Sequence, residues 1–180
     1  MDSPLEHSYK KVFLTGFMGS GKTKLGKMLA RKLAYNFYDV DEEITLKLQL
    51  SINDIFKKLG EPEFRNQESV VLKAISNLPE NAIISTGGGL PCYNDNMGFI
   101  NKIGTSIYLE RSPRELFQRL LTNRGERPLI KDLTENELLD YITQTLSSRS
   151  SYYEMATFIV GREEQTPEEL VKLLKENNKI

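Results

Sequence analysis

The chain has 180 residues, 24 basic and 25 acidic, for a net charge of −1. That balance excludes a chain-wide attraction to nucleic acid or an anionic membrane, so any anion must be held by a local site. The length suits one domain with a sizeable core, spanning 1–180, and is short for two. The lone Cys92 excludes an intrachain disulfide framework and a cysteine-rich zinc site, which fits a reducing cytoplasm. Residues 1–11 are polar and lack the apolar stretch of a secretory signal, and residues 1–9 are expected to be loose.

Short apolar runs rich in β-branched and aromatic residues at 12–15, 37–40, 82–85, 106–109 and 157–160 predict five strands. The segments between them carry helical spacing, as in Leu25, Met28, Leu29 and Leu33 after the first run. Three helix starts resemble capping boxes: Ser112 with Glu115, Thr134 with Glu137, and Thr166 with Glu169. Strand and helix alternate throughout. This predicts a mostly parallel α/β sheet covered on both faces, with ligands outside the carboxyl ends of the strands. Residues 122–134, with Gly125, Pro128 and several charges, read as a mobile lid.

The run GFMGSGKT at 16–23 follows the first strand and opens an amphipathic helix, the context in which G-x-x-x-x-G-K-[ST] is a phosphate loop. Its glycines turn backbone N–H groups onto a phosphate, and the helix directs its positive end to the same point. Lys22 then serves the β- and γ-phosphates of ATP, and the Thr23 hydroxyl suits Mg²⁺. A switch GTPase is excluded, because Asn101, Lys102, Ile103 and Gly104 lack the guanine-reading Asp. Asp39 and Asp41 close the second predicted strand, where a period of two points both carboxylates to one side. One would serve the hydrated metal and the other would accept a hydroxyl proton; a pair of helix-capping acids is the plainer alternative. Gly87, Gly88 and Gly89 follow the third strand and admit a ligand to the backbone, or make a simple turn. Arg149 lies on the seam Ile142, Leu146, Arg149, Tyr153, aimed at the apolar side, where it needs an anion. Arg65 and Glu68 sit one helical turn apart, and on local grounds read as a surface ion pair.

Together GFMGSGKT, FYDVD (37–41), GEPEFRNQE (60–68), TGGG (86–89), RPLI (127–130) and SRSSYY (148–153) resemble the shikimate kinases over most of the chain. The resemblance implies a three-layer nucleoside-monophosphate-kinase-like fold with a five-stranded parallel sheet. It also implies transfer of the ATP γ-phosphate to the 3-hydroxyl of shikimate. By matching positions, Gly19, Ser20, Gly21, Lys22, Thr23 and Lys24 would hold ATP, and Thr23 with Asp39, acting through water, would hold Mg²⁺. Asp41 would polarise the hydroxyl, Arg65 and Arg149 would grip the carboxylate, the glycines at 87–89 would line the acceptor, and Arg127 would swing from the lid onto ATP. No acidic residue ends the third strand, so Mg²⁺ relies on Thr23, phosphate and water. Arg162 and Gln165 are candidates to flank adenine. A monomer is expected. The alternatives are a kinase for another small hydroxy acid, such as gluconate, and a non-catalytic ATP-binding module.

Overall fold

The computed structural model describes residues 9–122, 127 and 129–180. Five strands are joined in parallel: β1 (Lys11–Thr15), β2 (Asn36–Asp39), β3 (Ala82–Ser85), β4 (Thr105–Leu109) and β5 (Phe158–Val160), in the order β2-β3-β1-β4-β5. The central strands β1, β3 and β4 are buried along their whole length, as a parallel sheet covered on both faces requires. Seven α-helices accompany them among the described residues: α1 (Lys22–Leu33), α2 (Val40–Leu48), α3 (Ile52–Ser76), α4 (Asn96–Ile103), α5 (Pro113–Leu121), α6 (Glu135–Tyr153) and α7 (Pro167–Glu176). No helix of the described residues is long and apolar enough to cross a membrane.

The alternation of side chains along β1 divides the core. Val12 and Leu14 pack with Leu25 and Leu29 of α1 and Leu170 and Leu174 of α7, while Phe13 faces Ile44, Leu72 and Ile100 of α2, α3 and α4. A third cluster joins Phe17, after β1, to Leu116 and Leu120 of α5 and Leu138 and Ile142 of α6. That cluster roofs the loop between β1 and α1.

Caps set the helix starts. Ser112 and Thr134 form complete boxes with Glu115 and Glu137. Thr166 accepts from the Glu169 amide alone, so the third box is half formed. Lys11 begins β1 and is buried, its Nζ donating to the carbonyls of Leu78 and Glu80 at 2.8 and 2.7 Å beyond the end of α3. Within α3, Gly60 adopts φ 80° and ψ 166°, which breaks the helical run and lets Glu61 and Pro62 start a second one.

Two predicted bounds are corrected. Val40 belongs to α2, not to β2, because the Asp39 carboxylate caps a helix there by accepting from the Asp41 amide at 3.1 Å. Thr157 precedes β5, with its hydroxyl paired to Ser106. Of the predicted lid, residues 123–126 and 128 lie outside the described residues, as do residues 1–8 of the expected loose terminus.

The entry to β4 is tight. A Cβ on Gly104 would stand 2.5 Å from the Lys11 carbonyl oxygen and 2.7 Å from the Phe13 ring. Backbone cannot yield as a side chain does, so Gly104→Ala is expected to cost about 1–3 kcal/mol. Urea unfolding checks this, and an unchanged midpoint would show that β4 relaxes freely.

Candidate active site

The loop after β1 takes its shape from glycine. Gly16, Gly19 and Gly21 have φ of +136°, +82° and +107°, in the region that side chains disfavour. The chain can therefore curl before α1 starts at Lys22 and points its positive end into the curl. Lys22 is buried, and its Nζ donates to the carbonyls of Gly16 and Phe17 at 2.9 Å each. Burial lowers its pKa to about 8, against the opposing pull of Asp39 and Asp41. Gly19, Gly21, Lys22, Thr23 and Lys24 line one cavity with Asp39, Asp41 and Arg127, whereas Ser20 faces the neighbouring hollow.

Asp39 and Asp41 do not share a strand edge. Asp39 ends β2 and spends both oxygens locally, one on the Asp41 amide and one on the Thr23 hydroxyl, which donates to it at 2.7 Å. Asp41 lies in the first turn of α2, and its Oδ1 is buried with no hydrogen-bond partner. The capping alternative thus holds for Asp39, while Asp41 is left to face the cavities. Burial, with Asp39 adding to it, raises Asp41 to about 6, although Lys22, Arg65 and Arg127 pull it down.

A second cavity opens on the far side of Asp41. Its wall includes Arg65, Glu68, Gly87, Gly88, Gly89, Arg127 and Arg149, backed by Ile52, Phe56 and Phe64. It shares Met18, Asp41, Gly87, Gly88 and Arg127 with the first, so one carboxylate and one arginine stand at the junction.

Arg65 and Glu68 do pair, at 2.8 Å, but the surface reading is wrong: both are buried, Glu68 completely. Arg65 also donates to Glu61 through Nε and Nη2 at 3.1 and 2.8 Å, and its guanidinium lies over Tyr93, 4.7 Å from the ring centroid. A Cβ on Gly89 would stand 2.5–2.7 Å from that guanidinium and displace it from its present place. Gly88 is close to main chain: a Cβ would stand 3.0 Å from the Met18 amide nitrogen. These contacts favour close approach over a simple turn for the triplet. Arg149 is half-buried at the wall, with its guanidinium 6.0 Å over the Phe17 ring, as the seam on α6 predicts.

Three features escaped the sequence reading. Arg119 of α5 donates to the Ser20 carbonyl at 3.0 Å and stands beside Gly21; nothing in its local pattern marks it. Tyr153 donates its hydroxyl to the Gly88 carbonyl and stacks on Tyr108 at 5.0 Å; its place on the Arg149 seam was the available signal. Glu68 stands in the same phrase as Arg65, but its complete burial comes from tertiary packing. The hollow beside the loop is walled by Arg119, Gln165 and Pro167, among others. Gln165 is fixed there by donating to the carbonyls of Glu110 and Val160, whereas Arg162 is exposed and turned to Glu115 at 3.6 Å.

Among the described residues no group of three or more His, Cys, Asp or Glu is placed to hold a metal. The adjacent Thr23 hydroxyl and Asp39 carboxylate are hard oxygen donors. They fit a Mg²⁺ that takes its remaining ligands from phosphate and water.

Comparison with known proteins agrees with this geometry. The family model for shikimate kinase matches residues 18–178. A shikimate kinase of Bacteroides fragilis is 41% identical over 149 residues, 83% of each chain. The crystal structure of shikimate kinase from Bacteroides thetaiotaomicron superposes with a TM-score of 0.85 at 36% identity, covering 94% of this chain and 98% of that one. The Acinetobacter baumannii shikimate kinase solved in complex with shikimate gives 0.85 at 30% identity, covering 95% and 96%. With its nucleotide loop, its arginine-lined second cavity and relatives matched over nearly their whole length, the chain belongs to the shikimate kinase family.

Proposed function

We infer that this chain transfers the γ-phosphate of ATP to the 3-hydroxyl of shikimate, giving shikimate 3-phosphate and ADP. The observation that carries the reading is the placement of Asp41 where a phosphate cavity and an arginine-lined cavity meet. The relative whose structure was solved with shikimate supports the acceptor.

The phosphates of ATP settle in the loop of residues 16–23, and Lys22 exchanges the Gly16 and Phe17 carbonyls for their oxygens. Arg65 and Arg149, from α3 and α6, grip the shikimate carboxylate, and the backbone at 87–89 lines the sugar-like ring. Asp41 accepts a hydrogen bond from the 3-hydroxyl and holds it in line with the γ-phosphorus. As the new P–O bond forms and the bond to the β-phosphate bridging oxygen breaks, the hydroxyl proton passes to Asp41. Arg127 and Lys22 face the charge on the transferring group. Thr23 and, through water, Asp39 would hold Mg²⁺, which when bound neutralises phosphate charge. All these groups come from one chain, which suits a monomer, and the lone cysteine suits the cytoplasm.

Shikimate should stimulate ADP release from ATP, with gluconate inactive and chelation of divalent cations abolishing turnover. A chain indifferent to shikimate at saturating ATP removes the reading. Asp41→Asn is expected to lower kcat by about 10²-fold or more with the Kd for ATP kept within about threefold. Normal turnover in that variant takes Asp41 out of the mechanism. Arg65→Lys should raise the KM for shikimate by about tenfold, because a point charge cannot reproduce the planar fork. Initial rates at varied shikimate test this, and an unchanged KM would relieve Arg65 of the carboxylate.

A further inference from the structure

Gly87, Gly88 and Gly89 bound the acceptor cavity with main chain alone, and three successive glycines resist a flipped peptide poorly. Their carbonyls are nevertheless all held. Those of Gly87 and Gly89 accept from the amides of Leu90 and Cys92, at 3.2 and 2.9 Å, within the turn that follows. The Gly88 carbonyl has no such local donor. It accepts instead from the hydroxyl of Tyr153, 65 positions away on α6. None of the three amides donates to a described residue. The triplet thus turns its acceptors to the protein and leaves its donors unused.

Tyr153 is itself firmly seated. It is fully buried, and its ring stacks on Tyr108 of β4, with 5.0 Å between centroids and 26° between planes. Tyr108 in turn lies beside Gly16, where a Cβ would stand 3.5 Å from its ring. The phenol therefore cannot swing away without disturbing the start of the phosphate loop. Burial raises the pKa of the phenol, against the pull of Arg149, so the O–H persists as a donor. The described peptide bonds are all trans, which sets the Gly89 N–H on the opposite side of its peptide from the Gly88 carbonyl. Fixing the one fixes the other. Gly89 lines the acceptor cavity and not the phosphate cavity.

We propose that Tyr153 is a positioning residue for the reaction: its hydroxyl holds the Gly88–Gly89 peptide in the orientation that presents the Gly89 N–H to an oxygen of the acceptor. Arg149 stands one turn earlier on the same helix and lines the same cavity. One helix therefore sets both the guanidinium that grips the acceptor and the main chain against which it is gripped.

The inference rests on shikimate as the acceptor. Tyr153→Phe keeps the ring and its stack and removes only the hydroxyl. It is expected to lower kcat/KM for shikimate by about tenfold, with the Kd for ATP within about threefold of wild type. A residue that merely fills the core would lower the urea midpoint and leave the kinetics of the folded protein alone; that result overturns the proposal, as does an equal loss toward both ligands. With p-aminophenylalanine in place of Tyr153, a donor returns to the same point and most of the loss should be recovered. A variant no better than phenylalanine also refutes the assignment. Amide spectra give a reading that needs no turnover: the Gly89 resonance of wild type should shift when shikimate is added, and the shift should shrink in Tyr153→Phe at saturation. Equal shifts in the two proteins overturn the proposal. A wild type inert toward shikimate removes the proposed function and this inference with it, whereas an active wild type matched by the phenylalanine variant removes this inference alone.

Discussion

The site depends on two glycine-rich strand ends touching. Because β3 lies beside β1, the segment after β3 runs against the phosphate loop, and the Thr86 amide and hydroxyl both donate to the Leu14 carbonyl at 3.1 Å. Beyond that clasp Gly88 meets Met18 backbone to backbone, so closely that even a Cβ would stand 3.0 Å from the Met18 amide nitrogen. The two cavities share the bare main chain of Gly87 and Gly88 there, beside Met18, Asp41 and Arg127. A bulky residue there would separate them.

Around this contact the chain gathers more buried charge than its near-zero net charge suggests. Lys22, Arg65, Asp39 and Glu68 are all buried, and each has a specific partner: loop carbonyls, two carboxylates, a helix-cap amide with a hydroxyl, and a guanidinium. Buried ions persist only with such partners. Two carboxylate oxygens there, Asp41 Oδ1 and Glu68 Oε1, have no hydrogen-bond partner; Asp41 lines both cavities and Glu68 the second. Polar groups kept short of protein partners in a cleft are characteristic of sites that await a ligand.

Much of this was legible in the sequence, because repeated local signals carry it. The apolar runs gave all five strands, two of the three capping boxes are complete, and the phosphate loop sits between strand and helix as its pattern requires. The errors came where two local rules compete. Asp39 obeys the capping rule, so the chain turns helical one residue too early for Asp41 to share the strand edge. Arg65 and Glu68 obey the one-turn pairing rule on a helix face that neighbouring elements cover, which sequence spacing does not reveal. Arg119 had no signal, because its partner is a carbonyl 99 positions away.

The strand order also governs how the molecule can assemble. β1 and β2 follow each other in sequence, yet they never pair; β3 comes between them. A growing chain that has reached β2 therefore has no sheet to form, and the first ladder waits until residues beyond 80 emerge and insert. With its pairings all non-local, the sheet should form in a late, cooperative step, and the nucleotide loop can acquire its rigid floor only then. A half-made chain is thus kept from presenting a finished phosphate site, and nucleotide binding becomes a report that the sheet has closed.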